Sequence, residues 1–235
     1  MFDLSSAQQS LIEKIECART IPRATFELGE LTKALDFDFW SYGQVSYQNF
    51  TKPNSAIMSN LPPEWRQRYQ EKKYITIDPV FEHGLQSSKP FVWTDTLYAK
   101  APDLWLDARS FGLHKGWSQS ARDANASTVG VLSFVRKKNA ISATEVHEKQ
   151  RRMHWLAHLV HAKISKLQTK KFELSPRELQ VMRWTADGKT AAEIASIMLL
   201  KERAITFHIN NVVMRLGAQN KTAAAVQLAM SGLLY

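Results

Sequence analysis

Apolar and polar residues alternate along Phe37-Asp38-Phe39-Trp40-Ser41-Tyr42-Gly43-Gln44-Val45, a period of two that predicts a first strand. Ala56 to Ser59, Pro90 to Thr94, Gly116 to Arg122 and Thr128 to Arg136 carry the same signal. Together they predict an antiparallel sheet of about five strands. Two helices precede the first strand. Between the second and third strands, Pro62 and Pro63 open a helix in which Trp65 and Tyr69 share a face, and Asp78-Pro79 opens another, with Asp78 as its N-cap. From about Ser142 to Gln168 the period lengthens to that of a helix. Val146, Met153, Leu156, Val160, Ile164 and Leu167 lie on its apolar side; His147, His154, His158 and His161 are assigned to the other.

The last sixty or so residues are all helical in pattern, and their boundaries are explicit. Ser175-Pro176-Arg177-Glu178 is a capping box with proline at the first helical position, and Gly188 stands where a left-handed cap is wanted. This predicts a helix from Pro176 to about Asp187, with Leu179, Met182 and Ala186 as its apolar positions. Thr190-Ala191-Ala192-Glu193 repeats the box and starts a second, short helix through Ile194, Ala195 and Ile197 or Met198. A third runs from about Glu202 to Leu216, with Ile205, Ile209, Val212 and Leu216 as its stripe and Gly217 closing it. Two short helices, a tight connection and a longer third helix make a helix-turn-helix.

The expected architecture is therefore α+β: an N-terminal α-β-α sandwich over residues 1–168, a linker at 169–173, and an all-α helix-turn-helix domain over 174–235. The third C-terminal helix turns Arg203, Thr206, Phe207, Asn210 and Met214 outward, flanked by His208, Asn211 and Arg215. That face fits a major groove, where Asn pairs with adenine, Arg with guanine, and an apolar ring meets a thymine methyl. Lys189, Thr190, Lys201, Arg215 and Lys221 lie near helix ends and are candidates for phosphate contacts.

Charge agrees with that reading. The 235 residues carry a net +9, but residues 1–135 hold 14 Lys and Arg against 15 Asp and Glu. Residues 136–173 hold 10 against 3, and 174–235 hold 7 against 4. All the excess lies in the last hundred residues, as expected of a chain with one end facing a polyanion. With 44% hydrophobic residues and 10% aromatics, the chain has the apolar mass for a real core. The single cysteine, Cys17, excludes an internal disulfide. The N-terminus lacks the order of a signal peptide and no apolar run approaches a membrane span, so a cytoplasmic protein without a membrane domain is expected.

Trp65, Tyr69, Asp78 and Ser133 each have a bland reading as core aromatics, cap or strand residue. As a set they offer an indole donor, a carboxylate acceptor and two hydroxyls, a code that suits a ligand with one amide and one further carbonyl.

The C-terminal run LSPRELQVMRWTADGKT…RLGAQNKTAAA resembles the DNA-binding domain of LuxR-type transcription regulators over nearly all of residues 172–235. That resemblance implies four helices, the fourth at 222–232 and often used for dimer contacts. Over about residues 30–168, Trp65, Tyr69, Asp78-Pro79, Trp93, Gly130 and Ser133 resemble the acyl-homoserine-lactone-binding domain of the same quorum-sensing regulators. The resemblance implies that Trp65 donates to the lactone carbonyl and Asp78 accepts from the ligand amide. Tyr69 and Ser133 serve the amide carbonyl, Trp93 packs beside the lactone ring, and Ser41, Gly43 and Val80 line the chamber. It further implies a homodimer that presents two reading helices to a pseudopalindromic double-stranded site, with no cofactor besides the lactone effector. Some members of the family leave DNA when ligand binds.

Three departures stand out. Lys201 and Ala204 occupy positions where the family commonly has Ser or Thr, so the third helix lacks its usual side-chain cap. Leu61 stands where several members have a Tyr that helps hold the ligand amide. The four histidines invite a metal reading, but no HExxH accompanies them, and an outer helix face is the commoner fate of such residues. An enzyme is the rival class. It would need a nucleophile with its base or a metal site, and no GxSxG elbow, HxHxDH-like cluster or Gly-rich phosphate loop is present. A remaining alternative keeps the DNA-binding half and gives the N-terminal domain a non-lactone small molecule or a protein partner.

Overall fold

The computed structural model describes residues 4–46, 54–123, 127–168 and 173–234. The linker expected at 169–173 lies, apart from Glu173, outside the described residues. Contacts gather the chain into two compact units, one holding residues 4–46, 54–123 and 128–168, the other 173–234.

In the first unit, helices α1 (Ser6–Cys17) and α2 (Ile21–Ala34) lead into strands β1 (Phe39–Ser46) and β2 (Asn54–Ser59). Helix α3 (Pro63–Glu71), a 3-10 turn at Tyr74–Thr76 and helix α4 (Pro79–Gln86) follow. Strand β3 (Phe91–Val92), helix α5 (Pro102–Ser110), strands β4 (Gly116–Arg122) and β5 (Thr128–Val135) and helix α6 (Ala143–Gln168) complete it. The five strands pair antiparallel in the order β2-β1-β5-β4-β3.

Both faces of the sheet are covered, which explains why β5 is buried along its whole length while its residues still alternate in partner. Leu132 and Phe134 join Trp40, Tyr42 and Trp117 in a core closed by α1, α2 and α6. Val131 and Val135 join Trp65, Tyr74, Val80, Phe81, Tyr98, Leu104 and Leu113 on the opposite face, under α3, α4 and α5. Two glycines permit this packing. A Cβ at Gly84 of α4 would stand 2.4 Å from the Val131 side chain, and one at Gly43 of β1 only 1.9 Å from the Phe81 ring.

The α-β-α sandwich matches the sequence expectation, with three corrections. Helix α5 was not foreseen: its N-cap Ala101 offers no side-chain bond and only Leu104 and Ala108 are buried, too short a period to stand out. Strand β3 is two residues rather than five: Pro90 brings no donor, and beyond Val92 only the Trp93 N–H continues the pairing, donating to the Gly116 carbonyl at 2.8 Å. His161 belongs to the buried side of α6, where the Tyr42 hydroxyl meets its Nδ1 at 2.7 Å; His147 and His154 are exposed. Among the described residues no three His, Cys, Asp or Glu side chains converge as a metal site would require.

The second unit holds α7 (Pro176–Ala186), α8 (Ala191–Met198), α9 (Glu202–Leu216) and α10 (Lys221–Met230). Both capping boxes form, Ser175 with Glu178 and Thr190 with Glu193. Asn220 caps α10, and Gly217 takes the left-handed conformation at φ 64°. Ile205, Ile209 and Val212 are buried as the stripe predicts. On α7 the buried line is Glu178, Val181, Met182 and Thr185, whereas Ala186 faces solvent: the helix is rotated so that its capping glutamate lies inward.

Candidate ligand cavity and DNA-reading helix

Between the sheet and helices α3, α4 and α5 lies a cavity of about 690 Å³, within the range of pockets that bury small molecules. All eight residues expected at a ligand, Ser41, Gly43, Trp65, Tyr69, Asp78, Val80, Trp93 and Ser133, line it. Each is delivered by its element's period. Ser41 and Gly43 are alternate positions of β1, Ser133 is the matching position of β5, and Trp65 and Tyr69 are one turn apart on α3. Leu61, Phe81, Tyr98, Leu104, Leu113 and Val131 also line the cavity. For Val131 the signal was present in the two-residue step from Ser133; for Tyr98 and Leu104 there was none, since their segment was not read as helical.

The polar tips are not independent. Asp78 caps α4 by accepting the Val80 N–H at Oδ1 (2.9 Å), and its Oδ2 accepts the Tyr69 hydroxyl (2.7 Å). Burial raises the Asp78 carboxyl from its ordinary 3.8 to about 6, against the opposing pull of those two hydrogen bonds. Burial, reinforced by the Asp78 charge, holds the Tyr69 phenol well above its usual value. Tyr69 therefore gives its proton to Asp78 and faces the cavity as an acceptor.

Across the cavity, the Trp93 indole N–H donates to Ser118 Oγ at 2.8 Å, and the Ser118 and Ser133 hydroxyl oxygens stand 2.7 Å apart. Ser118 is fully buried, and Ser133 is the one acceptor its hydroxyl has among the described residues. Either hydroxyl of the pair can donate; with Ser118 as donor, the Ser133 proton is free for the cavity. The Trp65 indole N–H has no acceptor among the described residues, while its ring is boxed by Tyr69, Tyr74 and Phe111 at centroid distances of 5.8, 6.2 and 5.7 Å. The lining thus offers two donors, Trp65 and Ser133, and one charged acceptor, Asp78, in otherwise apolar walls.

In the second unit, Arg203, Thr206, Phe207 and Asn210 of α9 are exposed, Phe207 by 62% and Met214 by 73%. His208 and Asn211 are half-buried beside them. Two large apolar side chains are thus left in water on the outer face of α9. Lys201 and Lys221 are exposed at the starts of α9 and α10, and Lys201 makes no side-chain cap, as its sequence implied. Lys189 stays partly exposed, 3.9 Å from Glu193. The Thr190 hydroxyl is engaged with Glu193 in the α8 cap.

Arg215, expected near a phosphate, is engaged within the fold while its side chain stays 42% exposed. Its guanidinium grips Glu178 bidentately, at 2.8 and 3.1 Å, and also donates to the Glu173 carbonyl at 2.8 Å. Glu178 is only 5% exposed; burial opposes its charge, but the Arg215 and Ser175 hydrogen bonds hold its carboxyl below its ordinary value. The arginine ties α9 to the start of α7. No sequence signal linked two residues so far apart.

A cavity with a sparse hydrogen-bonding code, carried on the same chain as a helix-turn-helix with a bare polar reading face, defines a ligand-responsive DNA-binding regulator. Residues 24–164 match the autoinducer binding domain, and residues 173–228 match the bacterial regulatory proteins of the luxR family. The chain belongs to the LuxR family of autoinducer-binding transcription regulators, which are not enzymes. It is 37% identical over 220 residues to the transcriptional activator protein AnoR of Acinetobacter nosocomialis, covering 88% of this chain and 92% of that one. It is 40% identical over 249 residues to the transcriptional repressor ThaA of Burkholderia thailandensis, covering 98% and 99%. A crystal structure of Escherichia coli SdiA superposes with a TM-score of 0.87 at 30% identity, covering 98% of each chain. SdiA in complex with octanoyl-rac-glycerol gives 0.82 at 30% identity, over 100% of this chain and 99% of that one. Among the described residues no helix is long and apolar enough to cross a membrane.

Proposed function

We propose that this chain senses an N-acyl-homoserine lactone in the cavity of its first unit and, as a cytoplasmic homodimer, binds a pseudopalindromic operator through α9. The observation that carries the reading is the convergence of Trp65, Asp78 and Ser133 on one apolar chamber. An acyl lactone presents two carbonyl acceptors and one amide donor, the complement of those three groups. Trp65 donates to the lactone carbonyl, Ser133 to the amide carbonyl, and Asp78 accepts the amide N–H. Tyr69 holds Asp78 in place through its own hydroxyl. Trp93 packs beside the lactone ring; Ser41, Gly43 and Val80 shape the walls.

On DNA, Arg203, Thr206, Phe207, His208 and Asn210 read base edges. Lys189, Thr190, Lys201 and Lys221 hold phosphates, Thr190 from the start of α8 with its hydroxyl kept in the cap. Two-fold symmetry in the protein is matched by two half-sites. Ligand binding adds free energy to the folded state alone, so occupancy is felt as stability.

The test is expression with and without a panel of acyl-homoserine lactones, measuring soluble yield, melting temperature and the duplexes retained from a random DNA pool. A lactone that raises yield and melting temperature, with recovery of a two-fold symmetric site, is the expected result. Trp65→Phe keeps the ring and removes the donor, and it should shift the lactone dose response to higher concentration. A panel without effect on yield, melting or DNA retention refutes the lactone reading.

A second reading is favoured by the octanoyl-rac-glycerol bound to SdiA. An acyl glycerol offers an ester carbonyl to Trp65 or Ser133 and a hydroxyl donor to Asp78, so it satisfies the same code. Competition between octanoyl glycerol and an acyl lactone for one site separates the two.

A further inference from the structure

Among the described residues, Asp78 is the one carboxylate that lines the cavity, and it has no ion pair there. Two phenols face it, Tyr69 from α3 and Tyr98 from the segment before α5. Arg66 of α3 lines the same cavity, exposed and unpaired with the carboxylate. The sheet, α2 and α5 present uncharged side chains to it. On α4 itself, Glu82 is exposed and the His83 ring packs on Phe91. Asp78 is therefore a buried charge whose company is two hydroxyls.

Its hydrogen bonds fix what it can offer. Oδ1 is held by the Val80 N–H, a backbone donor that cannot turn away, and Oδ2 by the Tyr69 hydroxyl. In the ionised pair both of those protons point at the carboxylate, so the pair shows a ligand nothing but lone pairs. Adding one proton reverses this. Oδ1 stays with Val80, and the new proton sits on Oδ2. It faces the cavity itself, or it is given to the Tyr69 oxygen, whose own proton then turns outward. Both arrangements put an O–H where a lone pair stood.

We infer that Asp78 and Tyr69 act together as a proton-operated selector: ionised, the pair takes ligands that bring an N–H, and protonated, it takes ligands that bring only acceptors. The inference rests on the lactone reading above, in which Asp78 receives the amide N–H. A protonated pair meets that N–H with a second donor and leaves it unpaired, which weakens binding by about tenfold or more. An acyl ester with oxygen in place of the N–H has the opposite need. Its lone pairs are opposed by the carboxylate and satisfied by the O–H. Burial has brought the carboxyl up to about 6, so the change falls between pH 7.5, where the pair is ionised, and pH 5, where it is protonated.

The experiment measures dissociation constants of octanoyl-homoserine lactone and of its ester counterpart, with oxygen in place of the amide N–H, for the full chain from pH 5 to pH 7.5 by quenching of tryptophan fluorescence. At pH 7.5 the wild type should prefer the amide by about tenfold or more, the worth of a hydrogen bond to a charged group. By pH 5 that preference should fall about tenfold, as the ionised fraction does. Asp78→Asn, which cannot ionise, should show the small preference at every pH. Tyr69→Phe removes a hydrogen bond that favours the ionised form, so its preference should collapse at a higher pH than that of the wild type. A wild-type preference that stays constant from pH 5 to pH 7.5, or a fall that persists in Asp78→Asn, overturns the inference and leaves the lactone reading in place. So does a Tyr69→Phe midpoint at or below that of the wild type. Failure of both ligands to bind at every pH overturns the lactone reading with it.

Discussion

Replacing Asp78 with asparagine removes a charge that the fold keeps out of water, and the change should stabilise the ligand-free protein. The carboxyl is raised from 3.8 to about 6, and burial is the leading cause. A group with its folded value raised stabilises the native state fully below its unfolded value and loses that contribution as pH rises through the folded one. Above pH 6 the ionised form therefore costs about 3 kcal/mol relative to a neutral side chain of the same shape. Asparagine is such a side chain. Its oxygen can still accept the Val80 N–H that caps α4, and its amide can donate to Tyr69, so both hydrogen bonds are kept with the second reversed. Urea unfolding followed by tryptophan fluorescence should place Asp78→Asn above the wild type by up to about 3 kcal/mol at pH 8. Below about pH 4, where the wild-type carboxyl is protonated, the gap should close. Ligand affinity should move the other way, because a neutral acceptor is weaker than a carboxylate for an amide N–H. A variant less stable than wild type at pH 8, or a gap of equal size at both pH values, would show that the Asp78 charge is not the origin of the cost.

Gly43→Ala places a methyl 1.9 Å from the Phe81 ring, so that ring must move; a loss of about 1–3 kcal/mol and a smaller lactone-induced rise in melting temperature are expected. Arg215→Ala strips the partner from nearly buried Glu178 and should cost about 1–2 kcal/mol, the arginine being partly solvated. If Arg215 acts only within the fold, the salt dependence of DNA binding is unchanged, whereas a lost phosphate contact lowers the slope by about one. Because the Glu178 carboxyl sits below its ordinary 4.5, its contribution is complete above that value and lost as pH falls beneath it; a pH series of helix melting, with Arg215→Ala flattening the acid limb, checks the sign. Asn210→Ala should weaken binding to the selected operator about ten- to hundredfold, with the melting temperature unchanged, since the side chain is exposed.

What the sequence revealed divides along a physical line. The C-terminal helices were legible almost to the residue, because Ser175, Thr190 and Gly217 announce their ends by local hydrogen bonding and backbone conformation. Strands β1, β4 and β5 were legible because their side chains alternate. The eight cavity residues could be named together through a family resemblance, although nothing in their spacing gives the volume between them. Hidden were the features created by juxtaposition: the Tyr69 proton committed to Asp78, the Ser118 hydroxyl behind Ser133, and Arg215 folded onto Glu178. His161 was misassigned for the same reason. A helix pattern ranks it as polar, but the Tyr42 hydroxyl across the core makes it an inward residue.

That phenol and imidazole have a further significance. Gly130 is bare because any side chain there would strike them both, at 2.5–2.7 Å from its first carbon. Tyr42 alternates along β1 with Ser41 and Gly43, and Gln44, next in line, is hydrogen-bonded to Gln168 at the end of α6. A single pleated segment thus shows its odd-numbered side chains to the chamber and its even-numbered ones to the final turns of the longest helix. Only the thickness of one strand separates the chamber wall from the residues that meet the end of α6.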